Sequence, residues 1–365
     1  MPRMSWRADL RRWTAPARGT GAPAMALLVL ALLVIATMPP APPPSMNGRE
    51  AVPWTGEVLT VTGVTEISGV ETYESVRVES GGRLVIPKGA SLSAVSMTME
   101  GDSGLEMTGG TLLLRAGPDG EEASLIANCQ YVDLTRGSTV LVWGGNGTGD
   151  VDSSAGTRAG VSISAKDYIT MSDSILEVRG GDGLSPEVPL SEFGLMGDHC
   201  SGGDAVLALH ALGNEGAVNV RSSRVLVQAG RGGDAPDGLP QPGVQGRRGG
   251  GYSDGGPVGD RVGTGGSAWF NLSADYIYLD GSNISIGAGA GGDAGDGGQV
   301  ASGAGYGGGG GGYSGGTGAG ATDEVASPGG RVFGDVGSGG NVWMMVEGHN
   351  LLQKDTRMSL RGGDG

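Results

Sequence analysis

The sequence has few of the residues from which most catalytic and metal-binding centres are built. Its 365 residues include two cysteines and three histidines. Charged residues make up 17% of the chain, whereas globular domains usually have about a quarter. No Gly-x-Ser-x-Gly, His-Glu-x-x-His or phosphate-loop motif is present. The sequence therefore predicts no catalytic residues and no organic cofactor, and its composition is not that of an ordinary globular domain.

The two cysteines, Cys129 and Cys200, lack the Cys-x-x-Cys spacing of metal and redox motifs. Two interpretations remain open for them. They form one disulfide if the chain folds in an oxidising compartment, or they are two buried free thiols.

Basic residues are scarce after the first 48 positions. The formal net charge is −15, and residues 1–48 contribute five arginines against one aspartate, which leaves residues 49–365 with a net charge of −19. A body this acidic repels phosphate backbones. The charge distribution therefore predicts no nucleic-acid partner.

The amino terminus has the layout of an export signal. Residues 1–23 are basic, residues 24–38 read "AMALLVLALLVIATM", and residues 39–54 form a proline-rich linker. A basic flank, an apolar core and helix-breaking prolines are typical of a signal peptide or of a membrane anchor. Fifteen residues are short for a spanning helix, which needs roughly 20. The sequence predicts export to the cell surface or the extracellular space, with a membrane contact if the segment stays uncleaved.

Glycine supplies 76 residues without the strict Gly-X-Y period of collagen. Beyond the proline-rich linker the chain is an internal repeat of short runs, and within each run apolar residues alternate with polar residues. Such alternation is typical of half-buried strands. The copies with three such runs are 124–146, 160–182, 202–234, 265–293 and 339–364. Shorter strand candidates precede them at 76–79, 83–86, 96–99, 105–108 and 111–114.

Three short strands per copy predict an all-β, single-stranded β-solenoid over residues 55–365, because one coil cannot bury its apolar face alone. Glycine-rich insertions separate the copies at one corner, over 147–159, 183–201, 235–264 and 294–338. Three interpretations of the glycine remain open. The first is solvated loops, and the second is ordered packing of extended glycine segments. The third is a calcium site formed by aspartates that follow Gly-Gly, namely Asp182, Asp234, Asp293 and Asp364.

The copies and their Gly-Gly-Asp or Gly-Gly-Asn endings resemble the glycine-rich, right-handed parallel β-helix surface proteins. The wider resemblance is to adhesins and to the pectate-lyase-like superfold. This resemblance implies a right-handed coil and a structural or adhesive function at a cell surface, with an extracellular polysaccharide or protein as the partner. It also implies two alternatives, a polysaccharide-binding module and a polysaccharide lyase or hydrolase. The outward candidates for such an enzyme, Lys166, Asp167 and Glu177, form no evident cluster in the sequence.

Three further features yield expectations. Asn-x-Ser/Thr triplets begin at Asn146, Asn271 and Asn283, and they are glycosylation acceptors if the host glycosylates exported proteins. Trp269 and Trp343 occupy equivalent positions in two copies, which favours packing, and sugar contact stays open if the two side chains are exposed. The sequence stops after "RGGDG" with no capping element, which leaves two interpretations open: a truncated piece of a longer protein, or end-to-end self-association through the last coil.

Overall fold

The computed structural model describes residues 56–117, 120–148, 154–184, 200–234, 258–260, 263–292, 332–334 and 338–364. These ranges belong to one compact unit, Trp54–Gly365. Their regular elements are all β-strands, which confirms the all-β class. A helix long and apolar enough to cross a bilayer is absent from these ranges. The segment 24–38, predicted to be a signal or an anchor, and most of the linker 39–54 lie in Met1–Pro53, outside the described residues.

The strands of the described residues are, in chain order, β1 (Val58–Val61), β2 (Val64–Glu66), β3 (Val70–Thr72), β4 (Ser75–Val78), β5 (Arg83–Pro87), β6 (Ser91–Ala94), β7 (Ser96–Met99), β8 (Gly104–Thr108), β9 (Thr111–Arg115), β10 (Ala123–Thr135), β11 (Thr139–Trp143), β12 (Ala159–Ser172), β13 (Ile175–Arg179), β14 (Ala205–Ala211), β15 (Ala217–Arg221), β16 (Arg224–Gln228), β17 (Val258–Asp260), β18 (Ala268–Asp280), β19 (Asn283–Gly287), β20 (Val332–Gly334), β21 (Val342–Lys354) and β22 (Arg357–Arg361). The five shorter strands predicted before residue 115 are confirmed to within one residue at every end.

Two parallel sheets contain most of these strands. Sheet A comprises β1, β2, β4, β5, β7, β8, β10, β12, β14, β15, β18 and β21, and sheet B comprises β3, β6, β9, β11, β13, β16, β19 and β22. The chain passes through two segments of sheet A and one strand of sheet B, and then begins the next such coil. The described residues form eight coils in a solenoid-like arrangement, and the last five are β10–β11, β12–β13, β14–β16, β18–β19 and β21–β22.

Alternation of apolar and polar residues gives each strand one buried side. In β13, for example, Leu176 and Val178 are buried while Ile175 is exposed. The same positions recur in register from coil to coil, so Val178 pairs with Val227 and Val227 with Ile286. The result is one continuous apolar core along the stack. Each fully buried Val, Leu or Ile stabilises the fold by roughly 1.5–3 kcal/mol relative to an exposed side chain.

A column of buried hydroxyl groups lies at the corner between sheet A and sheet B. A residue with positive φ begins each of these turns in the last five coils, at Arg136, Asp173, Ser222, Gly281 and Asp355. A serine or threonine then precedes the strand of sheet B. In four of these coils its hydroxyl accepts a backbone N–H from the coil before it, as Ser223 Oγ does from Ser174 N at 3.1 Å and Ser282 Oγ does from Ser223 N at 3.2 Å. In the remaining coil, Ser174 Oγ donates to Leu134 O of the coil before at 3.0 Å. The column links successive coils at a place where strand pairing is interrupted.

The glycine-rich corner, between sheet B and the next coil of sheet A, is also held by backbone hydrogen bonds. The bonds from one coil to the next recur every third residue. Gly180 N donates to Gln228 O at 2.9 Å, and Gly183 N donates to Arg231 O at 2.7 Å. Three residues per turn is the repeat of the extended polyproline II conformation, which has no internal hydrogen bonds. The described parts of this corner are therefore ordered segments, and the longer glycine runs, to which the three interpretations also apply, lie outside the described residues.

The same corner closes each of the last four coils on itself. In the coil β14–β16, the incoming and outgoing segments meet where Gly230 N donates to Gly203 O at 2.9 Å and Gly233 N donates to Cys200 O at 2.6 Å. The next coil repeats this closure between Gly289 and Gly266. The segments lie so close that a Cβ atom on Gly230 would overlap the backbone of the preceding coil. Glycine is needed here for close approach rather than for flexibility.

Two of the predicted insertions contain a short strand that their glycine-rich composition does not predict. These strands are β17, within 235–264, and β20, within 294–338, and they pair in parallel with each other. Each predicted insertion follows a strand of sheet B in the sequence and is followed by a strand of sheet A in the next coil. The greater part of the four insertions lies outside the described residues.

Candidate functional site

The outward side chains of sheet A form columns, because each coil is in register with the next at a spacing of about 4.8 Å. We name two of them. The tyrosine column contains Arg83, Gly104, Tyr131, Tyr168, Ala217, Tyr276 and Asn350. The polar column, two residues further along each strand, contains Val85, Glu106, Asp133, Thr170, Asn219, Tyr278 and Leu352.

Stacked aromatic rings form the centre of the tyrosine column. The rings of Tyr131 and Tyr168 stack with a centroid separation of 5.5 Å and an interplanar angle of 25°. Tyr131 lies over the backbone of Gly104, where a Cβ atom would come within 2.6 Å of the tyrosine Cζ. Gly104 therefore provides the space in which the tyrosine ring lies against the sheet.

A hydrogen-bonded ion pair joins the two columns. The Arg83 guanidinium contacts Glu106 Oε2, and the Tyr131 hydroxyl donates to Glu106 Oε1 at 2.6 Å. Partial burial favours the protonated form of Glu106, but the hydrogen bonds from Arg83 and Tyr131 outweigh it, and the pKa of Glu106 is lowered. Burial and the neighbouring Glu106 together raise the pKa of Tyr131 to about 12. At neutral pH the cluster thus contains an ionised Glu106 and a neutral, hydrogen-donating Tyr131.

Asp133 follows Glu106 in the polar column and lies in a different environment. Its Oδ1 atom is buried and has no hydrogen-bond partner among the described residues. Burial, and then repulsion by Glu106, raise the pKa of Asp133. Two carboxyl groups on neighbouring coils therefore have pKa values shifted in opposite directions.

A groove of ≈ 610 Å³ opens beside this cluster, where small Ala217 takes the place of an aromatic residue in the tyrosine column. Tyr168 and Thr170 line one side of the groove, and Asn219 lies two residues beyond Ala217. The turn between β14 and β15, residues 213–216, forms another wall. The groove therefore presents a tyrosine ring, hydroxyl and amide groups on an open surface.

Lys166 and Asp167 also line this groove, next to Tyr168. The Lys166 ammonium is 2.5 Å from Asp102 Oδ1, and Asp167 Oδ2 accepts a hydrogen bond from Gln130 Nε2 at 2.9 Å. Both were expected only as outward candidates outside any cluster, and the structure brings them together with Tyr168. Glu177, the third such candidate, lies on sheet B and accepts a hydrogen bond from Trp143 Nε1 at 3.1 Å.

The indole rings of Trp269 and Trp343 stack nearly parallel, with centroids 4.9 Å apart and an interplanar angle of 3°. Both lie on outward positions of sheet A, and Trp343 is 47% exposed. Tyr276 and Tyr278 also lie parallel, at 6.4 Å. All three stacked aromatic pairs of the described residues therefore lie on the outward surface of sheet A, while the inward surface is mainly aliphatic.

The four aspartates predicted to hold calcium do not share one position in the coil. Asp182 and Asp364 are each the third residue after a strand of sheet B, whereas Asp234 is the sixth, and Asp293 lies outside the described residues. Asp182 Oδ1 accepts a hydrogen bond from Arg231 N at 2.8 Å, and Asp364 forms an ion pair with Arg361. The described residues contain no group of three or more His, Cys, Asp or Glu side chains arranged to hold a metal ion.

Both cysteines are buried free thiols in the structure, which is the second of the two alternatives from the sequence. Cys129 lies inside the core on β10, and burial raises its pKa to about 11. Cys200 lies at the glycine-rich corner, where its backbone N–H donates to Ser154 Oγ at 3.1 Å. A thiol with a raised pKa is a weak nucleophile at neutral pH.

The three asparagines proposed as glycosylation acceptors differ in exposure. Asn146 is exposed, and its Oδ1 accepts a hydrogen bond from Asp182 N at 3.0 Å. Asn283 is exposed at the start of β19. Asn271 is only partly exposed, and its Oδ1 is buried without a hydrogen-bond partner among the described residues. Glycosylation at all three stays a prediction.

The last described coil, β21–β22, exposes several apolar side chains, namely Trp343, Met345, Leu351, Leu352 and Leu360. Within the described residues, β21 pairs only with β18 and β22 only with β19. The predicted self-association through this coil stays a prediction.

The comparisons with known proteins found no match for this chain among family models, curated proteins or solved structures. The candidate site therefore rests on its own geometry. The sequence analysis missed Arg83, Glu106, Tyr131, Asp133 and Tyr168 as site residues. Alignment of the second apolar run of each copy places Tyr131 beside Tyr168, because each immediately precedes that run.

Proposed function

We propose that the chain is an exported, surface-associated module that binds polysaccharide through the outward surface of sheet A. The observation that carries the proposal is the stacked Tyr131–Tyr168 pair beside an open groove lined by hydroxyl, amide and carboxylate groups. Aromatic faces offer an apolar surface to the C–H side of a sugar ring, and the polar groups around them can bond its hydroxyls. An adhesive function at a cell surface follows from such binding.

The stack of coils supports this proposal because it keeps these side chains at a regular spacing of about 4.8 Å on a hydrogen-bonded surface. Strands position a binding site more accurately than loops do. The finer architecture that we propose is a right-handed β-helix with its glycine-rich insertions on one edge. Right-handed crossovers are strongly preferred between parallel strands.

The proposed location rests on the amino terminus. Basic residues 1–23 and the apolar segment 24–38 have the order of an export signal, and the acidic remainder of the chain suits a solvated surface. We therefore place the glycan outside the cell, on the same cell's surface or on a neighbouring one.

Replacement of Tyr168 by alanine tests the binding proposal. We expect Tyr168→Ala to weaken binding of a recognised polysaccharide about tenfold, the loss that corresponds to ~1.4 kcal/mol of contact. Tyr168→Phe, which keeps the ring, should retain most of the affinity. Affinity electrophoresis in gels containing single purified polysaccharides measures both variants.

Ile175→Ala is the matched control for Tyr168→Ala. Ile175 is 38% exposed and Tyr168 is 37% exposed, but Ile175 lies on sheet B. An equal loss of binding in the control would argue against a site on sheet A, and a chain that binds no polysaccharide would refute the proposed function.

The two shifted carboxyl groups favour a second candidate function, hydrolysis of a glycosidic bond. Glycosidases use one carboxyl group that holds its proton near neutral pH and another that is ionised. Neighbouring carboxyls whose environments separate their pKa values are candidates for these two roles. Here Asp133, with a raised pKa, would be the acid, and Glu106, with a lowered pKa, the carboxylate.

Asp133→Asn tests this candidate with two measurements. A raised pKa means that ionised Asp133 opposes folding, so the variant should be more stable than the parent at pH 7. The difference should vanish below the ordinary aspartate pKa of about 3.9. Urea unfolding at pH 7 and pH 3 measures this change, and release of reducing ends from polysaccharide measures hydrolysis. No release by the parent chain would exclude the hydrolase while leaving the binding proposal in place.

A further inference from the structure

We infer that the groove over Ala217 selects an uncharged sugar polymer and discriminates against polymers of uronic acids. This inference rests on the proposed polysaccharide binding and adds the class of ligand to it. Three observations carry it: the shape of the groove, the neutral groups inside it, and the unbalanced negative charge at its rim.

The shape comes from a break in the tyrosine column. Tyr168 and Tyr276 lie one coil before and one coil after Ala217. Two coil spacings separate them by about 9.6 Å along the stack. The small side chain between them leaves room for a sugar ring against the exposed face of Tyr168.

The groups that face this space are mainly neutral. Thr170, Asn214 and Asn219 line the groove and supply a hydroxyl and two amides. An amide both donates and accepts hydrogen bonds, so it can pair with a sugar hydroxyl in either direction. None of these three groups offers the charge-assisted, paired donors that a carboxylate prefers.

The charged groups at the groove sum to a negative field. Asp167 and Glu215 are exposed carboxylates in the lining, and Lys166 is the lining's cation. Lys166 is already bound by Asp102 at 2.5 Å, so its charge is balanced outside the groove. The lining therefore carries two carboxylates against one cation, and that cation is already paired with a third carboxylate, Asp102.

Two further cations on this surface have a carboxylate on a neighbouring coil. Arg83 forms an ion pair with Glu106, and Arg221, just beyond Asn219, is in register with Asp280 of the next coil. A polymer with one carboxylate on each ring would place like charges close to Asp167 and Glu215. Such juxtaposition disfavours binding and gives specificity.

The test compares neutral and acidic polymers on the whole chain in mild detergent. The neutral probes are dextran, a mixed-linkage glucan and a glucomannan, and the acidic probes are polygalacturonate and alginate. We expect at least one neutral polymer to bind about tenfold more tightly than either acidic polymer, at low ionic strength where charge effects are largest. Equal or tighter binding of an acidic polymer would overturn the inference.

Charge variants show whether the groove causes the discrimination. The double variant Asp167→Asn/Glu215→Gln should reduce the ratio of acidic to neutral dissociation constants about tenfold. The control Glu121→Gln/Glu122→Gln removes the same two charges from exposed positions outside the groove lining and should leave the ratio unchanged. An equal change in the two variants would assign the effect to net charge and overturn the inference.

Failure of the inference and failure of the proposed function give different results. If Tyr168→Ala weakens binding but acidic polymers bind as tightly as neutral ones, the binding site stands and the ligand class is wrong. If no polymer binds, or Tyr168→Ala has no effect on any of them, the polysaccharide-binding proposal fails, and the inference fails with it.

Discussion

Alanine in place of Gly230 should destabilise the chain by about 3 kcal/mol, the upper range for forcing extra volume into a packed interior. A Cβ atom at this position would overlap the carbonyl group of Gly181 in the preceding coil. The overlapping atoms belong to backbone, which cannot rotate away as the end of a flexible side chain can. The displacement would also strain the Gly230 N to Gly203 O hydrogen bond that closes the coil. Urea-induced unfolding followed by circular dichroism measures the loss.

Gly160→Ala is the control for this prediction. Gly160 lies on an outward position of β12, its φ is not positive, and a Cβ atom there would have no neighbour within 4 Å. Alanine should therefore stabilise this strand by about 0.5–1 kcal/mol, since it reduces the freedom of the unfolded chain. If Gly230→Ala were as harmless as Gly160→Ala, the glycine-rich corner would be loosely packed, and solvated loops would be the better interpretation.

Removal of the hydroxyl group of Ser223 should have the second largest effect, a destabilisation of about 2 kcal/mol. Ser223 Oγ donates to Arg221 O at 2.7 Å and accepts the N–H of Ser174 at 3.1 Å. Ser223→Ala would leave the N–H of Ser174 buried without a partner, and such a group costs roughly 1–3 kcal/mol. Thermal and urea unfolding of the variant measure this contribution.

Ser223→Thr keeps the hydroxyl and should recover most of the lost stability. Threonine already serves at the equivalent position of the last described coil, where Thr356 Oγ1 donates to Lys354 O at 3.1 Å and lies 3.4 Å from Ser282 N. Equal destabilisation by alanine and threonine would show that tight packing at this corner, rather than the hydrogen bond, determines stability.

The strands and the coil repeat could be predicted from the sequence because their physical cause is local. Ile284 and Ile286 alternate with Asn283 and Ser285, and this alternation alone decides which side of β19 is buried. The corner serines and threonines can also be recognised in the sequence, because one of them stands just before the strand of sheet B in each later copy. Their bonding to the coil before could not be predicted without the register between coils.

The predicted aspartate column shows where the motif alone was insufficient. Gly-Gly-Asp occurs at 180–182 and at 232–234, and these stretches look equivalent in the sequence. The strands before these stretches pair Arg179 with Gln228, so Asp182 is aligned with Arg231 and not with Asp234. Hydrogen bonds at this corner repeat every three residues, so the same triplet fits at two positions that differ by one period.

The candidate site could not be predicted because it depends on contacts between coils. Glu106 and Tyr131 are 25 residues apart, and nothing in the spacing of charged residues links them. The lowered pKa of Glu106 depends on Arg83, which belongs to another coil, and the raised pKa of Asp133 follows from burial and from Glu106 on the neighbouring coil. Only an alignment of the outward residues of successive coils, which requires the register between coils, brings Arg83, Glu106 and Tyr131 together.

In each of the last four coils, hydrogen bonds between the incoming and outgoing segments close the coil, so its geometry depends little on the chain that connects it to the next coil. The bond from Gly233 N to Cys200 O closes the coil β14–β16, and the bond from Gly292 N to Gly263 O closes the coil β18–β19. The chain between these two coils therefore connects two segments whose positions are already fixed. Lengthening such a connection adds little loop entropy, about 0.6 kcal/mol for each doubling. Insertions at this corner can therefore lengthen or shorten during evolution while the stacked coils keep their alignment.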